Sequence, residues 1–224
     1  MFKLKKVYSL ILIIMLTLSA NTLAFAANIT SNSLDYIDIN EDDYKEANEA
    51  LIKKGNALTR LRSSKTLSLT HYYQDDDRWG DDIMETCGST IASAGCCLTS
   101  FTMIQRYLGG SDDPGEVNEA LGDYACPFYY YQAADEYDYT VQYFSSSTQT
   151  DSDAIDFIAG SIDEDNPVLV GMVHSSGETH FVAANGYNGD TIYIKDPSSY
   201  YDRSTLDEYL DNNWTVNRLC VYVD

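Results

Sequence analysis

The hydrophobic pattern divides the chain into a helical half followed by a strand-rich half. Leu98, Phe101, Ile104 and Leu108 recur at near-helical spacing, which predicts a helix over 96–108 stopped by Gly109-Gly110. Asp113-Pro114 opens a second helix carrying Val117 and Leu121, since proline is tolerated in a first turn. A strand is expected at 139–144, and a further helix at 152–162 turns Ala154, Ile155, Ile158 and Ala159 inward. After this the period falls to two. Residues 168–173, 180–185, 191–195 and 218–223 are short β-branched or aromatic runs, with Asn188-Gly189 as a hairpin signal between two of them. The exception is Ser204-Thr205-Leu206-Asp207, whose S-x-x-D spacing reads as a helix cap before Tyr209 and Leu210. Helices first and mostly antiparallel strands afterwards give an α+β class, with no internal repeat.

The N-terminal region follows different rules. Lys3, Lys5 and Lys6 precede an apolar run over 7–25, and Ala24-Phe25-Ala26 offers a small-residue processing site, so residues 1–26 read as a secretory signal peptide and the mature protein as secreted. A retained membrane anchor is the competing reading, but Ser19, Asn21 and Thr22 interrupt the run. Residues 27–67 are polar, with a thin apolar stripe of Ala47, Ala50, Leu51 and Leu58 in a helical candidate over 41–61. They read as a spacer, with an attachment segment or a propeptide as alternatives. Residues 68–224 form the compact domain, long enough for one well-filled core.

The formal charge is −21, and loss of residues 1–26 removes three lysines and makes it −24. Such a balance excludes nucleic acid and anionic membrane surfaces as partners, because both need basic groups to displace counterions; no stable membrane association is expected once the signal is removed. The acidity reads most simply as a solubility device. The aspartate-rich loop from Gln74 to Asp82 lacks the glycine and distal glutamate of an EF-hand and reads as a solvated cluster. Five cysteines, Cys87, Cys96, Cys97, Cys126 and Cys220, leave at least one thiol without an intrachain partner. No C-x-x-C is present, so neither a metal nor another cofactor is expected.

That leftover thiol carries the chemistry. Cys96, in Gly95-Cys96-Cys97-Leu98-Thr99-Ser100, stands at the start of the first helix. A thiol becomes a nucleophile as the thiolate, which a helix N-terminus and a neighbouring imidazolium both favour. His180 begins a strand and Asp196 ends the next one across the Asn188-Gly189 hairpin, so base and orienting carboxylate fall on neighbouring strands. His174, beside the Ser175-Ser176-Gly177 turn, and His71, before the aspartate loop, compete for the base. A buried cysteine is otherwise inert packing, and Asp196 before Pro197 otherwise a turn former. Cys97 points elsewhere and reads as core or half of a disulfide. Tyr129-Tyr130-Tyr131 and Tyr200-Tyr201 read as filling for antiparallel strands ahead of the alternative that they line a groove.

With Gln74 and Arg78-Trp79-Gly80, Ile91 through Cys96 with Thr99-Ser100 and Met103, Pro114, Val117-Asn118, His180-Phe181-Val182, Gly186-Tyr187, Ile192-Tyr193-Ile194 and Asp196-Pro197, residues 70–222 resemble the papain-like cysteine peptidases. Within them they are similar to the free-standing relatives of bacteriocin-processing, double-glycine leader peptidases. The resemblance implies a papain-like fold, with the nucleophile at a helix start packed on a mostly antiparallel sheet. It implies a peptide or protein substrate and a Cys96, His180, Asp196 triad, with Gln74 helping to stabilise the oxyanion. Cys97 and Leu98 depart from the Gly and Pro often found there. Two other readings use the same residues: a transglutaminase-like acyl transferase, and an inactive relative that binds peptides or cell-wall fragments.

Overall fold

The computed structural model describes residues 63–224; the signal-peptide reading and the helical candidate at 41–61 lie outside the described residues. The sheet begins ahead of the domain start expected at Ser68, with β1 (Ser64–Thr66) already paired to β6 (Thr179–Asn188). A short ribbon, β2 (Ile83–Met84) and β3 (Ser89–Thr90), leads into α1 (Ile91–Ala94) and α2 (Cys96–Tyr107). Then come α3 (Pro114–Leu121), α4 (Tyr130–Glu136), β4 (Thr140–Ser145), α5 (Asp151–Asp163), β5 (Val168–His174), β6, β7 (Thr191–Lys195), α6 (Asp207–Leu210) and β8 (Trp214–Val223).

Local chemistry explains most boundaries. The Asp113-Pro114 signal is a full capping box: Glu116 N–H donates to Asp113 at 3.0 Å and Asp113 N–H to Glu116 at 2.9 Å. Thr150 caps α5 through Asp153 N–H. The β6–β7 hairpin closes on Gly189, whose φ of 60° suits a residue without a Cβ. The S-x-x-D reading at Ser204 is corrected: no side chain caps α6. Instead one Glu208 carboxylate oxygen accepts from the backbone N–H and hydroxyl of both Ser204 and Thr205. The tyrosine reading is corrected as well. Tyr129 and its neighbours start α4, and Tyr200-Tyr201 lie in the loop before α6, so none of them fills a strand.

The main sheet runs β1-β6-β5-β8-β4 with β7 on β6, every pair antiparallel. β6 is its hub. β5 and then β1 share one of its edges, and β7 takes the other. α2 is buried almost all round, from Cys97 to Gln105, and packs on β5 and β6; α5 packs on β5, β6, β7 and β8. Phe101, wholly buried, meets Tyr222 of β8 edge-on at 5.0 Å and ties α2 to the sheet. Its burial alone is worth about 1.5–3 kcal/mol. One consequence matters for chemistry: the N-terminus of α2 is held against the beginning of β6.

Candidate active site

Cys96 is the first residue of α2, and a two-helix break puts it there. Thr90 caps the single turn of α1, and Gly95 N–H closes that turn on the Ile91 carbonyl at 2.7 Å. A Cβ at Gly95 would come within 2.5 Å of the Ile91 oxygen and 2.6 Å of its Cγ2, so the junction excludes any side chain. Gly95 then serves as N-cap of α2 with no side chain occupying the first-turn N–H groups. They remain directed at whatever lies beside Cys96, which is itself partly exposed.

His180 sits at the start of β6, 5% exposed, between two partners. Its Nε2 donates to Asp196 Oδ1 at 2.8 Å, and Cys96 lies within side-chain hydrogen-bond reach. With Nε2 engaged, Nδ1 is the nitrogen left for the thiol. Burial works to lower the imidazole's pKa, but the hydrogen bonds to Asp196 and Cys96 outweigh it and hold it at about 9, up from 6.5. The ring is enclosed by Tyr201 and Tyr209, each 5.5 Å away between centroids, and Trp214 at 6.3 Å.

Asp196 follows β7 and is wholly buried. Besides His180, Oδ1 accepts the Ser198 N–H at 3.0 Å, and Oδ2 accepts the Tyr209 hydroxyl at 2.5 Å and the Arg203 N–H at 3.2 Å. Burial alone would raise its carboxyl, yet these donors, His180 foremost, keep it below the usual carboxylate value. One side chain thus makes both the turn contact to Ser198 and the contact to the His180 ring.

Gln74 is 9% exposed and touches both halves of the site. Its N–H donates to the Pro197 carbonyl and its Nε2 to the Ala92 carbonyl, both at 2.7 Å. The amide nitrogen has a second hydrogen, which is what an oxyanion donor requires. His71 is a strut: Nε2 bonds the Asp196 backbone carbonyl at 2.6 Å. His174 bonds Ser176 through Nδ1 within the β5–β6 turn. Cys97 is buried and free, as is Cys220; the disulfide joins Cys87 to Cys126.

The four residues singled out from sequence thus converge on one end of the sheet. Sequence reasoning passed over Tyr209 and Trp214. The second was findable, since Trp214-Thr215-Val216-Asn217 is itself a short alternating run directly ahead of the strand expected at 218–223. Among the described residues, no group of three or more His, Cys, Asp or Glu could hold a metal ion, and no helix is long and apolar enough to cross a membrane.

The sequence model of the Peptidase_C39 like family matches residues 66–218. A crystal structure of a candidate C39-like peptidase from Bacillus anthracis is similar at 15% identity and a TM-score of 0.44, the match covering 72% of this chain and 98% of that one. No curated protein matches.

Proposed function

The chain belongs to the Peptidase_C39 like family, of cysteine-type peptidases with an α+β papain-like fold, and from that premise we propose that it is a secreted peptidase working through Cys96, His180 and Asp196. The observation that carries the reading is His180, buried and bonded on one side to a fully buried carboxylate while a thiol at a helix start stands on the other. Cys96 Sγ, its proton passed to His180, attacks the scissile carbonyl carbon. The oxygen that gains charge accepts from the Cys96 backbone N–H and the second Gln74 Nε2 hydrogen. His180 then gives its proton to the leaving amine as the C–N bond breaks, leaving a thioester. Neutral His180 next takes a proton from water, whose oxygen attacks the thioester carbonyl carbon; the C–S bond breaks, the acid departs, and the Cys96 thiolate is left beside protonated His180. Asp196 accepts the Nε2–H throughout and fixes the tautomer.

Secretion rests on the N-terminal pattern and is supported by the Cys87–Cys126 disulfide, a feature of oxidising compartments. N-terminal sequencing of protein recovered from culture fluid checks the processing site expected after Ala26. For the chemistry, Cys96→Ala abolishes hydrolysis of a peptide library while the circular dichroism spectrum shows the variant folded; turnover by this variant overturns the assignment. Gln74→Ala lowers kcat by about 10- to 1,000-fold with little change in KM.

A further inference from the structure

Beside Cys96 the surface opens into a pocket of about 300 Å3. Phe181 on β6 and Arg218 on β8 line it, and both pair with the same residue of β5, Gly171, which lies between them. Because the middle residue has no side chain, the Phe181 ring and the base of the Arg218 side chain lie directly against β5. A Cβ at Gly171 would stand 2.5 Å from the Phe181 ring and 2.9 Å from Arg218 Cβ. The opposite wall is the segment after Cys126, including Phe128 and Tyr130, tied by the disulfide to Cys87.

The charge of this pocket runs against that of the molecule. The chain has 35 acidic residues against 14 basic ones, yet no carboxylate lines the pocket and Arg218 is its one charged residue. Among the described residues no ion pair or hydrogen bond engages the Arg218 guanidinium. Its field is nevertheless felt inside: burial raises the Cys97 thiol and the Tyr130 hydroxyl, and Arg218 pulls against both. A planar guanidinium with five N–H donors matches a carboxylate in two-pronged geometry, while the aromatic walls suit the methylenes that carry it. At this volume, the low end of the roughly 300–1,000 Å3 typical of small-molecule sites, the pocket admits one side chain.

We propose that this pocket selects an aspartate or glutamate of the substrate close to the scissile bond, with Arg218 as the residue that reads its carboxylate. The inference rests on Cys96 being the nucleophile. It also limits the role of overall charge: the acidic surface opposes an acidic peptide at long range, but that repulsion is screened over about 8 Å at physiological salt, whereas the Arg218 contact is local.

The test uses peptidyl vinyl sulfones carrying Glu or Gln at the residue next to the warhead or at the one before it, with rates of Cys96 labelling followed by mass spectrometry. At one of the two positions the Glu probe labels about 10- to 100-fold faster than its Gln twin. In Arg218→Ala and Arg218→Gln that ratio collapses toward one, and in Arg218→Glu a Lys probe overtakes the Glu probe. Equal Glu and Gln rates at both positions in the wild type, or a ratio that survives in Arg218→Ala, overturns the assignment of the pocket while leaving the peptidase reading intact. If no probe labels Cys96 in the wild type, both fall together.

Discussion

Replacing Asp196 by Asn isolates the electrostatics of the site. In the wild type His180 is lifted from 6.5 to about 9 against the opposing effect of burial. At about 1.4 kcal/mol per pKa unit, that lift corresponds to roughly 3 kcal/mol of folding free energy, shared between the Asp196 and Cys96 contacts. Because the folded value is the raised one, this contribution is complete below about pH 6.5, the unfolded value, and is lost as pH rises through about 9. Asparagine can still accept the Nε2 hydrogen. Its NH2 group, however, would then face the Tyr209 hydroxyl and the Arg203 N–H, both donors to Oδ2 in the native pair. Removing one partner of a buried pair costs about 3–5 kcal/mol, so the variant should lose about that much at pH 7 and less above pH 9, where His180 is neutral in both proteins. The chain has three histidines, which makes the His180 ring resonance tractable by NMR. It should titrate near 9 in the wild type and clearly lower in the variant, which keeps only the Cys96 contact, alongside urea unfolding at pH 6, 7, 8 and 9.5. A wild-type His180 that titrates at its ordinary value, or a stability loss of the same size at every pH, would refute the reasoning and leave Asp196 a packing residue.

Two further changes probe the frame around the site. Gly95→Ala drives a methyl group into the Ile91 backbone; we expect a loss of about 1–3 kcal/mol by denaturant unfolding and slower alkylation of Cys96, because the start of α2 must shift. Converting Cys87 and Cys126 to serine releases a cross-link spanning 39 residues. The chain-entropy relation gives about 4 kcal/mol, read as a fall in melting temperature that a reductant reproduces in the wild type and leaves absent in the variant.

Much of the site was legible because its key separations are short or its elements strongly marked. His180 and Asp196 are joined through one hairpin, so the Asn188-Gly189 signal alone brings them together. Cys96 announces itself through Gly95 and the apolar period that follows. The helix Tyr130–Glu136 carried no comparable mark: its N-cap is Tyr129, without a side-chain cap, and three consecutive tyrosines resemble a strand. β8 was read too short because its pairing with β5 slips between Gly171 and Met172, which breaks the alternation that identifies a strand. Tyr209 was identified only as part of a short helix; that its hydroxyl reaches Asp196 depends on how that helix packs, which no local pattern encodes. The Phe181–Gly171–Arg218 row is a register property of three strands and becomes visible only once they are paired.

In the proposed reading, the placement of Arg218 separates recognition from reaction. The proposed reacting groups ride on the start of α2, the start of β6 and the loop after β7, whereas the pocket reaches β8, a strand whose backbone is fixed by β5 on one side and β4 on the other. A side chain exchanged there alters the pocket while Cys96, His180 and Asp196 keep their positions. On the proposed assignment, selectivity in this scaffold is a replaceable part, which one substitution in β8 can change while the chemistry stays where it is.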